Sequence, residues 1–299
     1  MSQMPTPSVE SLSVNEFLAR FDDADIYRQT QVIQMFKIAT EILEESYSRE
    51  PSLGGPPQIR ISFAQGLQAE GNSWAIYINE DLVNYYLNLS EPPVLEIIPE
   101  IKEQQRHFHD QFFFISAAFT WMVLHELSHS RRAHNDVVQA VGVSIDTWFA
   151  IEMDADLLAT AAIYRLAQHR YKAYHADLII KKLALTIIYW GFRGLPEPKS
   201  DDSHPSSMTR LAMMMKKLMM VRRVPEDPPD PDFKSEESRL ARDPLLKCFI
   251  NCERAFSERK GVEPDFTLLE EFCSGSTMPI VVRWDEMRSH VSRLSGTQA

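Results

Sequence analysis

Phe112-Phe113-Phe114-Ile115-Ser116-Ala117-Ala118-Phe119-Thr120-Trp121-Met122-Val123-Leu124-His125-Glu126-Leu127-Ser128-His129-Ser130-Arg131-Arg132-Ala133-His134-Asn135 is the stretch on which the fold turns. Its first half is almost wholly apolar and contains neither Gly nor Pro, so it reads as a helix buried on every side. Its polar end carries His125-Glu126-Leu127-Ser128-His129. Residues four apart on a helix lie one turn above each other on the same face, so His125 and His129 can offer two imidazole nitrogens to one tetrahedral zinc. Glu126 is turned by about 100° from His125. That lets it reach a water at the metal without competing as a ligand, which is the layout of zinc-assisted hydrolysis. The bland alternative is a surface turn with two solvated histidines. It fits poorly, because burying two imidazoles and a carboxylate without partners costs on the order of several kcal/mol.

A catalytic site needs a third ligand. Downstream, a helix expected from about Asp146 or Thr147 to Gln168 carries Glu152 and Asp156, again one turn apart, with the small residues Ala155 and Ala159 alongside. Two carboxylates on an otherwise apolar helix are costly to bury unless they meet a cation or charged partners. The expected roles are Glu152 as third zinc ligand and Asp156 as acceptor for a ligating histidine's N–H; an exchange of these roles, or an acidic turn facing water, stays open. Asp154 lies about 160° from Asp156 around the helix and is expected in solvent.

Farther on, Ser203-His204-Pro205 precedes a helical run containing Arg210 and a methionine-rich segment that reads as adaptable core. Proline at the first helical position would fix the helix start and hold His204 beside it. His204 is then either a donor to the oxyanion of the transition state or only a helix cap. Arg210 is placed to pair with Asp156 and lock this helix to the others.

These motifs, at Leu124–His129, Glu152–Ala159 and His204–Arg210, resemble the gluzincin peptidases of the HtpX-like superfamily, and more closely the Lit-type phage-exclusion peptidases. The likeness covers about residues 110–215. It implies a zinc endopeptidase with His125, His129 and Glu152 as ligands. The Lit-type likeness further implies a cytosolic protein as substrate, an activating protein or peptide, and a role in phage exclusion.

The rest of the chain bounds this reading. Among 299 residues, 44% are hydrophobic and 24% charged, as in ordinary globular proteins. A net charge of −11 argues against nucleic acid or an anionic membrane as partner. The polar N-terminus and the absence of an apolar run of about 20 residues point to a cytoplasmic protein that does not enter a membrane. Cys248, Cys252 and Cys273 form no disulfide framework and read as packed free thiols.

The expected class is α+β, mainly helical: a zincin-like active-site helix, a small N-terminal β-sheet and a helical C-terminal extension. Residues 1–14 read as a disordered tail and 15–223 as the catalytic domain. Residues 224–238 form an acidic, proline-dense linker, and 239–299 a helical extension that either caps the catalytic part or recognises a partner. Within the domain, a helical pattern runs from Val14 to Arg49. Gln58–Phe63 and Ser73–Asn79 alternate as strands, and Asn135–Asp146 reads as a connector. The sheet's exposed edge suits a peptide docking in extended form. Two further readings stand beside the peptidase: a latent or non-peptidase zinc hydrolase, and an interaction protein with a structural zinc. Structural zinc takes four protein ligands, and three converge here, which favours catalysis.

Overall fold

The apolar run forms helix α5 (Phe113–Arg131), and every residue from Phe113 to His125 is buried. No face is left for water because α2 (Ile26–Ser48), α7 (Ile145–Tyr171) and α8 (Asp177–Arg193) close around it. Phe36 of α2 meets Phe119 edge-on at 4.8 Å between ring centroids. Gly191 of α8 lies so close to α5 that a Cβ there would stand 2.6 Å from the Cβ of Ala118. These features come from a computed structural model that describes residues 10–21, 25–48, 55–72, 74–101, 112–196, 205–224, 235–266 and 278–295. The fold is α+β and mainly helical, and among the described residues no helix is long and apolar enough to cross a membrane.

Four short strands form one sheet in the order β1-β2-β4-β3: β1 (Ser11–Ser13), β2 (Gln58–Ser62), β3 (Ala69–Gly71) and β4 (Ala75–Asn79). The two strands read from alternation, β2 and β4, are parallel neighbours, while β1 and β3 add antiparallel edges. Both edges depart from expectation. Ser11–Ser13 falls in the stretch expected to be a disordered tail, and Ala69–Gly71 lies between the two expected strands; three residues are too few for alternation to register. The helical pattern from Val14 also breaks, into α1 (Val14–Leu18) and α2. A reciprocal capping box between Ser13 and Glu16 starts α1.

The connector expected after α5 contains a further helix, α6 (His134–Val141). Between the sheet and α5 lie α3 (Glu80–Leu87) and α4 (Val94–Ile97). Helix α9 (Ser207–Met220) starts later than predicted. Ser206 is its N-cap, accepting the Thr209 N–H at 3.2 Å, so Pro205 stands before the cap rather than at the first helical position.

The C-terminal helices are built into the same body. Helix α10 (Glu236–Lys260) packs on α8 and α9 and sends Cys248, Phe249, Cys252 and Phe256 into the main core. Its Glu253 is fully buried, where it accepts from the Tyr189 hydroxyl, Arg193 Nε at 3.2 Å, Ser257 Oγ at 3.0 Å and the Asp265 backbone N–H at 2.9 Å. Cys248 and Cys252 are buried free thiols near Thr186, whereas Cys273 lies outside the described residues. A second, smaller core of Val137, Val138, Ala150, Ile151, Met287 and Val291 joins α6 and α7 to α11 (Met278–Ser295).

Candidate active site

The four-residue spacing on α5 puts His125 and His129 one above the other, with their Nε2 atoms 3.1 Å apart. Helix α7 returns past them because the chain turns sharply after α5. Ala133 adopts a left-handed conformation at φ 50°, ψ 40°, a strain on the order of 1–2 kcal/mol for a residue with a Cβ. Gly142 ends α6 at φ 93°, and Ser144 starts α7 by accepting the Thr147 N–H at 3.1 Å. Glu152 then reaches both histidines, with Oε2 3.4 Å from His125 Nε2 and Oε1 3.3 Å from His129 Nε2.

One turn beyond Glu152, Asp156 Oδ1 lies 2.9 Å from His125 Nδ1. Arg210 of α9 grips the same carboxylate with two donors, Nε to Oδ2 and Nη2 to Oδ1, both at 2.7 Å. Its guanidinium also lies 3.5 Å from Glu152 Oε2 and over the Phe192 ring at 4.7 Å. Burial alone would raise the Asp156 carboxyl, but the Arg210 charge and hydrogen bonds, with help from His125, hold it below the usual range. For His125, burial pulls downward while hydrogen bonds and charge from Asp156 and Glu152 win, raising it to about 10.

On the other side of His129 the structure corrects the sequence reading. Asp154, expected in solvent, is only 5% exposed. The angle around α7 was right, but that face meets the end of α5 and the start of α6 rather than water. Asp154 Oδ2 lies 3.1 Å from His134 Nε2, and Arg132 donates to Asp154 through Nε at 2.9 Å and Nη2 at 3.2 Å. His134 Nδ1 in turn lies 2.9 Å from His129 Nδ1. Burial, the largest influence, pushes His134 down to about 4, so its ring is neutral at ordinary pH. Burial also opposes ionisation of Asp154, but His134 and Arg132 outweigh it and hold its carboxyl low. Neither His134 nor Arg132 was singled out from sequence. The available signal was a third histidine in the same stretch; the turn that delivers it is made by an alanine and leaves no glycine to read.

Glu126 sits half-buried beside this group, its carboxyl pushed above the ordinary value by burial, against the pull of His125 and His129. The edge strand β3 passes over it closely enough that a Cβ on Gly71 would come 2.7 Å from the Glu126 carbonyl oxygen. His204 lies outside the described residues.

The donor set fits a tetrahedral cation. One nitrogen or oxygen atom each from His125, His129 and Glu152 lies within 4.8 Å of the others. Ligand atoms about 2.0–2.1 Å from one zinc at tetrahedral angles stand roughly 3.3 Å apart. The observed separations of 3.1, 3.3 and 3.4 Å agree with that spacing. His125 Nδ1 faces a carboxylate, which leaves Nε2 to supply a lone pair. No fourth His, Cys, Asp or Glu joins the group among the described residues.

A family model described as Peptidase U49 matches residues 15–224, a span that includes every site residue named above. No curated protein and no solved structure gives a significant match.

Proposed function

The chain belongs to the peptidase U49 family, and from that premise we propose that it is a zinc-dependent endopeptidase of the HtpX-like gluzincin type. His125, His129 and Glu152 would hold the ion. The observation that carries this reading is the convergence of two imidazole nitrogens and a carboxylate at separations of 3.1–3.4 Å. When bound, the ion would polarise the scissile carbonyl and make water acidic enough to be deprotonated near neutral pH.

The chain's own residues supply the rest. Glu126 takes the proton from the attacking water and passes it to the departing amine, a role suited to a carboxyl raised by burial. Asp156 holds the His125 proton on Nδ1, and Arg210 holds Asp156. On sequence grounds His204 is assigned as donor to the oxyanion. The outer edge of β3 offers backbone groups to a substrate in extended form, and the Gly71 contact brings that edge beside Glu126. The Lit-type resemblance supports a specific cytosolic protein as substrate, an activating protein or peptide, and a part in phage exclusion.

Two variants test the assignment. Glu152→Ala should lose most bound zinc, measured by elemental analysis after dialysis; zinc content equal to wild type removes Glu152 as a ligand. Glu126→Gln should retain zinc yet lose several orders of magnitude in cleavage rate, because proton transfer and charge stabilisation fail together. A Gln variant that cleaves at the wild-type rate rules out Glu126 as base. Substrates are found by comparing new protein termini in cells expressing wild type and this variant.

A further inference from the structure

The hydrogen-bonding partners around His129 can be arranged in one way only, if its Nε2 is to offer a lone pair to a cation. Its hydrogen must then sit on Nδ1, which faces His134 Nδ1 at 2.9 Å. A single hydrogen fits between two nitrogens, so His134 Nδ1 must be the acceptor. The hydrogen of neutral His134 is thereby placed on Nε2, and that atom faces Asp154 Oδ2 at 3.1 Å. An ionised carboxylate accepts and never donates, so it enforces this tautomer. Arg132 secures the far end with donors to both Asp154 oxygens, at 2.9 and 3.2 Å. The order of donation thus runs from His129 to His134 to Asp154, and each step fixes the one before it.

We infer that His134 is a positioning residue for His129, setting its tautomer and ring angle through Asp154 and Arg132. Three observations converge on it. His134, Asp154 and Arg132 are all less than a tenth exposed, so water is not a ready substitute for any link. The rings of His129 and His134 meet nearly perpendicular, at 80° with centroids 4.9 Å apart, so nitrogen approaches nitrogen edge-on rather than by stacking. The residue just before His134, Ala133, is the one non-glycine with positive φ among the described residues. That backbone outlier is what turns the chain so that the imidazole of α6 reaches back to α5. Strain retained beside a buried polar chain is a mark of function rather than of packing.

The inference rests on the zinc reading of the site, and its test keeps the two apart. Zinc affinity of the purified full chain is measured by competition with a chromophoric chelator. His134→Phe, which keeps ring shape but removes the acceptor, should weaken zinc binding about 10–100-fold. His134→Gln should recover most of that loss, because its carboxamide oxygen can accept from His129 and its NH₂ can donate to Asp154. A merely structural role predicts the opposite ranking, since Phe fills the space better than Gln. Phe binding zinc as tightly as wild type, or Gln binding as weakly as Phe, overturns the inference. Should the Phe variant not fold, 15N NMR of zinc-loaded wild type decides: the hydrogen must sit on Nδ1 of His129 and on Nε2 of His134, and the reverse placement overturns it. Wild type that binds no zinc overturns the zinc reading itself and the inference with it.

Discussion

His125 and His129 come from the same helix and face the same point, yet they are braced differently. His125 leans directly on Asp156, and the arginine behind that carboxylate comes from α9, more than fifty residues further along the chain. The Nδ1 side of His129 reaches a carboxylate through His134, and every member of this brace comes from the end of α5, the start of α6 and the facing stretch of α7. One brace therefore reports on the assembly of distant helices, and the other is nearly complete once α5, α6 and α7 have packed. The lesson concerns α7, which presents Asp154 and Asp156 to opposite sides of the site. Each carboxylate is gripped in a fork by an arginine, so both histidines end on a fixed negative charge by routes of different length.

That contrast can be broken most forcefully at the arginines. Arg210→Ala leaves a buried carboxylate short of its partner and unfastens α9 from α7; the expected cost is about 3–5 kcal/mol in chemical denaturation. Arg132→Ala should cost less, about 1–3 kcal/mol, because Asp154 keeps His134 and no separate helix is released. Equal costs would erase the distinction between a distant and a local brace.

Asp154→Ala sharpens the comparison at the metal. A solvated Asp154 would be silent, whereas a brace predicts zinc binding weakened roughly 10–100-fold by chelator competition, a loss similar to that of Asp156→Ala. Gly71→Ala should touch neither brace. Its new Cβ meets the Glu126 carbonyl, so β3 must move away, at about 1–3 kcal/mol with a higher KM for peptides. Zinc affinity should stay at the wild-type level, and a fall would mean that the strand supports the metal site after all. Ala133→Gly has the smallest expected effect, within about 0.5 kcal/mol of wild type, because relief of the left-handed strain is offset by a freer unfolded chain. A melting-temperature change of many degrees would show that Ala133 does more than turn the chain.

How far the sequence could be read follows from the same physics. An unbroken apolar run with one polar end identifies a central helix, and one-turn spacings bring His125 to His129 and Glu152 to Asp156. Complementary charge pairs Arg210 with Asp156 from sequence alone, and the structure joins them. What periodicity gives is an angle around a helix and not what waits there. Asp154 was placed on the correct side of α7 and still misjudged, since two other elements occupy that side. His134 was hidden for a related reason: its position depends on an alanine held in an unusual conformation, and no residue type announces it. The edge strands were missed because pairing, rather than composition, makes three residues into a strand. His204 lies outside the described residues and stands as read from the sequence.

The place of α10 bears on when this peptidase comes into being. The family match ends at residue 224, but Phe249 and Glu253 lie beyond it and complete the packing of α8, while α10 also seats α9 and so the helix that carries Arg210. A ribosome adding about 5–20 residues per second needs roughly 7–27 seconds to travel from Glu126 to the end of α10 at Lys260. Throughout that interval the nascent chain already holds His125, Glu126 and His129 but lacks the helix against which α9 settles. Synthesis runs ahead of assembly, and the residues of the site wait for α10 before the helix that carries Arg210 can settle.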